Sequence, residues 1–174
     1  MPQASQLYGI NICTTEGLLT AAGAETVYDT TVAIGYCIDG KADLHATQVD
    51  GATPTTDGNG DAFEALAVTN SDGSISGKGA CVVWCLNTSD AVVCYQGEIE
   101  ELDGISTTFV NTPQFPSIPD DETPFAYQIL KQAMDSLTAP TADSSTFGTS
   151  NWNATGFTNV IVDVFTLPRR PQES

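Results

Sequence analysis

The chain holds one histidine, His45, and any hydrolase-type triad would rest on it entirely. A serine, cysteine or lysine nucleophile needs a base positioned beside it. No nucleophile motif flanks His45, so a structural or surface histidine is the expected reading. The next candidate is Asp57-Gly-Asn-Gly-Asp61. Asp57, Asn59 and Asp61 alternate as the first oxygen ligands of a calcium loop do. The match fails where such a loop needs glycine, at Ala62, and its bidentate glutamate, at Val68. Aspartate and glycine in this pattern also simply make turns. Glu98, Glu100 and Glu101 could form acid pairs for glycoside hydrolysis, but acids that discourage pairing at a sheet edge explain them more simply. Cys13, Cys37, Cys81, Cys85 and Cys94 fit no usual zinc spacing, and reduced, buried thiols are expected. A hairpin register that sets Cys94 diagonally between Cys81 and Cys85 leaves open a disulfide, or a zinc site completed by His45. Asn87-Thr-Ser and Asn153-Ala-Thr have the form of glycosylation sequons. No glycine-rich phosphate loop with a lysine and no dinucleotide fingerprint is present, and no cofactor is expected.

Composition narrows the classes of partner. The 174 residues suit one domain, and 41% hydrophobic content is enough to bury a core. Twenty-two acids against five lysines and arginines give a formal charge of −17. Nucleic-acid affinity comes chiefly from basic residues that displace counterions, so neither nucleic acid nor an anionic membrane is an expected partner. No run of about 18 apolar residues could span a bilayer. The Met1-Pro-Gln-Ala-Ser start lacks the basic and apolar regions of a signal peptide, which points to a chain made in a cytoplasm.

The elements that would position these residues read as strands. Ala80–Leu86 and Ala91–Gln96 are apolar runs joined by Asn87-Thr-Ser-Asp90, a hairpin signal. If Thr88-Ser89 closes the loop, Trp84 faces Val93, with Cys81, Val83, Cys85, Val92 and Cys94 on one face. Val82, Trp84, Leu86, Val93 and Tyr95 take the other. Both faces are apolar and must be covered, by a second layer or by a neighbouring subunit. Residues 7–13 and 31–39 alternate as strands, with a helical turn or loop over 14–25 between them. Asp39-Gly40 is a strong two-residue hairpin turn into 41–49. Residues 50–61 form a polar loop, 62–69 a strand, and 70–79 a Gly/Ser turn region. The prolines of 112–124 remove backbone donors, which excludes a central strand there. Strands over 124–131 and 157–167 close the chain around a small-residue loop. The expectation is one all-β domain over residues 1–174, an antiparallel β-sandwich or flattened barrel of about eight or nine strands, with an extended tail at 168–174.

Roughly residues 80–172 resemble small virion structural proteins of tailed bacteriophages. The resemblance is carried by Pro113-Gln-Phe-Pro-Ser-Ile-Pro119 and Thr123-Pro-Phe-Ala-Tyr127. It continues through Phe147-Gly-Thr-Ser-Asn-Trp-Asn-Ala-Thr-Gly156 and Thr166-Leu-Pro-Arg-Arg-Pro171. It implies a non-catalytic capsid decoration (cement) protein, often trimeric, that binds the major capsid protein on the head surface. Such a protein would be made in the host cytoplasm and has no catalytic residues to carry over. The alternative is a tail or receptor-binding component that binds glycans, with calcium at Asp57–Asp61. Protein contacts are expected at Trp152 and Asn153, since tryptophan is enriched in binding hot spots. They are also expected at Arg169 and Arg170, adjacent forked donors held extended by Pro168 and Pro171.

Overall fold

The apolar run Ala80–Leu86 folds into the middle of the longest strand in the protein, and the rest of the architecture is built on its two faces. The structure, a computed structural model, describes residues 11–21, 27–69, 75–103, 108–132, 146–147 and 157–172. Among them there is no helix. Twelve strands follow in order: β1 (Ile12–Cys13), β2 (Leu19–Ala21), β3 (Val27–Thr30), β4 (Ile34–Ile38), β5 (Lys41–His45) and β6 (Gly51–Ala52). Then come β7 (Ala67–Thr69), β8 (Ile75–Asn87), β9 (Val92–Gln96), β10 (Glu100–Glu101), β11 (Glu122–Gln132) and β12 (Phe157–Asp163). The count exceeds eight or nine because five of these strands are only two or three residues long, below what a sequence pattern marks.

All pairing is antiparallel. One sheet has the order β10-β8-β11-β12, with β7 and β9 also on β8; two three-stranded sheets are β1-β4-β5 and β2-β3-β6. The sheets do not close on one another, so the fold is an all-β sandwich and not a flattened barrel. Ala80, Val82, Trp84 and Leu86 on one face of β8 join Ile34, Tyr36 and Ile38 of β4, Tyr28 of β3 and Phe125 in a single buried cluster. Cys81, Val83 and Cys85 on the other face join Tyr127, Ile129 and Phe109, with Phe115, Ile118 and Leu167 laid over them. The two small sheets therefore cover one side of the large sheet. The proline-bearing crossing and the C-terminal segment cover the other. Residues 80–86 are each 0% exposed within this one chain, so the doubly apolar hairpin supplies no reason for a second subunit.

The β8–β9 register differs by one residue from the expected pairing: Trp84 faces Cys94 and Cys85 faces Val93. A two-residue loop on Thr88-Ser89 would force a left-handed φ on β-branched Thr88. The chain instead uses a three-residue loop and places the left-handed residue at Asp90, φ 62°. Asn87 fixes it by accepting from the Ser89 and Ala91 amides through its side chain, at 2.9 and 3.1 Å. A one-residue slip swaps faces along the partner strand. Cys94 and Val92 thus join Trp84, while Tyr95 and Val93 join the Cys81–Cys85 face. Asp39-Gly40, by contrast, makes the expected two-residue turn, with φ of 50° and 78° and Ile38 paired to Lys41.

Three further expectations change. Residues 75–79, read as part of a turn region, are the start of β8, because β7, β10 and β11 pair along them. Of residues 14–25, read as a helical turn or loop, 14–18 are irregular and Leu19–Ala21 form β2, while 22–25 lie outside the described residues. Glu122–Pro124 belong to β11 and pair with β8, but the pairing to β12 begins only at Ala126, so these three residues are not flanked on both sides, and the crossing before them is irregular as expected. Pro124 is tolerated there because the register shifts between Pro124 and Ala126, and a bulge is where a strand can lack a donor.

Gly79 shows how tightly the second face is sealed. A Cβ built there would lie 2.6 Å from the Phe109 ring and 2.9 Å from the Leu130 carbonyl oxygen. Phe109 also carries the Lys131 ammonium over its ring at 4.7 Å. Gly79→Ala must displace the ring or part the strands, so we expect a loss of about 1–3 kcal/mol, the usual cost of overpacking. Urea unfolding followed by far-ultraviolet circular dichroism measures it.

Candidate functional site

His45 ends β5 and is 6% exposed. Its Nδ1 lies 2.9 Å from Asp90 Oδ1, the atom that also accepts from the Tyr36 hydroxyl at 3.1 Å. Its Nε2 is buried without a hydrogen-bond partner. The imidazole is thus enclosed and tied to the hairpin turn, not presented to a nucleophile. Burial first and Asp90 second push the Tyr36 hydroxyl pKa well above its ordinary 10.

The five cysteines are all buried and free. Cys94 stands on the opposite face of the sheet from Cys81 and Cys85, which removes the diagonal arrangement a disulfide or zinc site would have used. No group of three or more His, Cys, Asp or Glu side chains suited to a metal occurs among the described residues. Burial pushes the Cys13 and Cys81 thiols up to about 12 and raises Cys85 and Cys94 well above 9. The thiolate is the nucleophilic form, so these four are chemically quiet at neutral pH.

Asp57 organises its own turn. Its Oδ1 accepts from the Asn59 and Asp61 amides at 2.9 and 2.8 Å, and its Oδ2 accepts from Asn59 Nδ2 at 3.1 Å. The Gly58 amide then donates to the Cys94 carbonyl at 3.0 Å, which docks the turn on β9. Together with the Gln114–Ser117 crossing, this turn walls a groove of about 470 Å³. Tyr95, Phe115 and Pro116 supply its apolar lining, and Asp57, Glu98 and Gln114 are among its polar groups. Phe115 is held edge-on against Tyr127, ring centroids 5.1 Å apart. The Gln114 carbonyl lies so close to Gly97 that any Cβ there would meet it at 2.6 Å, so the crossing is pressed onto the strand that carries Tyr95. The volume is that of small-ligand or side-chain pockets.

Behind the groove, the Tyr95 hydroxyl donates to Glu122 Oε1 at 2.8 Å, while Glu122 Oε2 is buried with no partner. Burial raises the Glu122 pKa above its ordinary 4.5, the Tyr95 bond opposing it. Burial likewise raises Asp163, whose Oδ1 accepts from the Leu19 amide at 3.0 Å. Both acids bind protons more tightly folded than unfolded. As pH rises past 3.8 for Asp163 and 4.5 for Glu122, the unfolded chain releases these protons first, and stability falls until the folded groups have ionised too. Self-repulsion at −17 acts in the same direction. Urea midpoints should therefore be higher at pH 5 than at pH 8, and Glu122→Gln should narrow that difference; an unchanged pH profile in the variant would remove Glu122 as a cause.

Of the residues marked for protein contact, Trp152 and Asn153 lie outside the described residues. Arg169 and Arg170 are exposed and make no ion pair among the described residues. They do not sit on a free arm. Pro171 is buried, and the Gln172 amide donates to the Tyr127 hydroxyl at 3.1 Å, so residues 168–172 lie back along their own body. Glu101, read as an edge acid, pairs with Lys78 at 2.9 Å on the edge strand β10. The sequence reading missed the groove residues Tyr95, Gln96, Gln114 and Phe115. Pro113-Gln-Phe-Pro carried a resemblance but gave no sign that it meets the Asp57 turn.

Comparison with protein-family models, with characterised proteins and with solved structures found no match. The class the fold and site define is therefore an all-β sandwich with an acidic, aromatic-floored groove.

Proposed function

We propose that this protein is a non-catalytic binding component of a tailed-phage virion, a capsid decoration protein that contacts the major capsid protein and copies of itself as a homotrimer. The resemblance over residues 80–172 supports the virion and the trimer. The observation that carries the binding reading is the groove, since it offers shape and charge to a partner while the sole histidine is locked onto Asp90. Arg169 and Arg170, exposed between Pro168 and Pro171, add a second contact point to the same partner. The alternative, a tail or receptor-binding component, shares the groove and differs in location. Cryo-electron microscopy of virions decides between them. Density for this fold on the head lattice is expected; density at the tail selects the alternative, and absence of the protein from purified virions overturns both.

A further inference from the structure

The chain has few cations, and its three lysines are engaged away from the groove. Lys41 is 3.7 Å from Asp43, Lys78 pairs with Glu101, and Lys131 lies over Phe109. No lysine, arginine or histidine lines the groove. Its side-chain amides turn their nitrogens to neighbours: Asn59 to Asp57, Gln96 to the Glu64 carbonyl at 3.2 Å, and Gln114 to the Thr112 carbonyl at 3.0 Å. What remains for a ligand is dominated by acceptors, chiefly the Glu98 carboxylate, which makes no hydrogen bond among the described residues, and Gln114 Oε1. The floor of the groove is fixed from behind. The Tyr95 hydroxyl at the groove floor is held by buried Glu122, whose second oxygen has no partner, and Gly58 of the Asp57 turn packs directly against it.

We infer that this groove receives an arginine side chain presented by a different protein. Several features converge on a guanidinium. Glu98 offers a carboxylate to its forked donors beside the Gln114 Oε1 acceptor, and its planar, weakly hydrated face stacks on aromatic and prolyl surface such as Phe115 and Pro116. A bare metal ion gains nothing from that floor, and the Asp57 oxygens are already bonded by its own turn. A lysine is a compact point charge that uses neither the fork nor the stack. A second copy of this chain could offer only Arg169 or Arg170, and buried Pro171 and the Gln172–Tyr127 hydrogen bond hold that segment along its own body. The inference deepens the protein-binding reading by naming the chemistry of the partner.

The test uses the full chain, labelled with nitrogen-15, titrated with N-acetyl-arginine methylamide and, in parallel, with the citrulline and lysine analogues. The uncharged citrulline analogue has nearly the shape of arginine. Saturable shifts confined to the amides of Gly58, Gly97, Gln114 and Ser117 are expected with arginine, and none that saturate with citrulline. Glu98→Gln should weaken arginine binding about three- to tenfold, the range of one exposed charge-assisted hydrogen bond. Arginine shifts that never saturate, or that citrulline matches, overturn the inference, and equal binding of the lysine analogue overturns the choice of arginine. So do saturable shifts of the same amides with calcium alone. Shifts that vanish on dilution and in Arg169→Ser/Arg170→Ser would make the occupant a second copy, which also overturns it. None of these results depends on where the protein sits in a virion, so failure here and failure of the decoration reading are distinguishable.

Discussion

Replacing Trp84 with alanine should cost about 5 kcal/mol, enough to leave much of the chain unfolded at 25 °C if its stability lies at the lower end of the usual range of about 5–15 kcal/mol. Trp84 is 0% exposed at the centre of β8. Its ring meets Tyr28, Phe147 and Phe125 edge-on at centroid distances of 5.1, 5.6 and 6.4 Å. Truncating a buried tryptophan costs about 3–5 kcal/mol through lost burial and the cavity left behind. The indole also donates to Gln128 Oε1 at 3.1 Å in a dry environment. Losing that hydrogen bond adds about 1 kcal/mol. Trp84→Phe keeps most of the ring but not the N–H, so it should lose about 2–3 kcal/mol. Combining it with Gln128→Leu should cost less than the sum of the two single changes, because both remove the same hydrogen bond. Guanidinium unfolding followed by circular dichroism measures all four. A Trp84→Ala protein within about 1 kcal/mol of the parent would mean that β8 is not the centre of the core.

That core was legible in the sequence because its signal is local. A run such as Ala-Cys-Val-Val-Trp-Cys-Leu has no polar face, and only a strand covered on both sides accommodates it. Asp39-Gly40 was legible for the same reason, since the two residues that make the turn also carry its chemistry. The β8–β9 register was not, because it depends on which loop residue takes a left-handed φ. Choosing Asp90 over Thr88 is a small energy difference with a large geometric consequence. The groove was least legible of all. Asp57 and Gln114 lie far apart in sequence, and nothing near either one marks the other. The Asp57-Gly-Asn-Gly-Asp61 pattern was read through its oxygens, whereas in the fold those oxygens bind the turn's own amides. Short aspartate–glycine patterns serve turns and ligands with the same atoms, so only the positions of the amides separate the two uses.

Asp90 carries the second large expected effect, because one side chain both makes the hairpin loop and joins two sheets. Its φ of 62° is a conformation that alanine adopts at a cost of about 1 kcal/mol, that asparagine tolerates and that glycine adopts freely. Its Oδ1 accepts from Tyr36 on β4 and bonds His45 on β5, so the turn of the large sheet is fastened to the β1-β4-β5 sheet. The carboxylate side chain is 45% exposed, which places each bond at the weaker end of its range, but the His45 side chain on the far side is only 8% exposed. Removing the carboxylate leaves the imidazole without its bond to Asp90 in a setting water scarcely reaches, and Tyr36 loses the same acceptor. Asp90→Ala should therefore lose about 3 kcal/mol, combining strain with two orphaned groups. Asp90→Gly relieves the strain and should lose about 2 kcal/mol. Asp90→Asn keeps an oxygen at the same place and the same backbone tolerance, so it should lose less than about 1 kcal/mol. The order Ala, Gly, Asn is the diagnostic result, read from urea midpoints at constant pH. If asparagine were as damaging as alanine, the charge would matter and the geometry would not. If alanine were harmless, the two sheets would be held together by their apolar contacts alone, through Ile34, Tyr36, Ile38 and Trp84, with the polar latch contributing nothing.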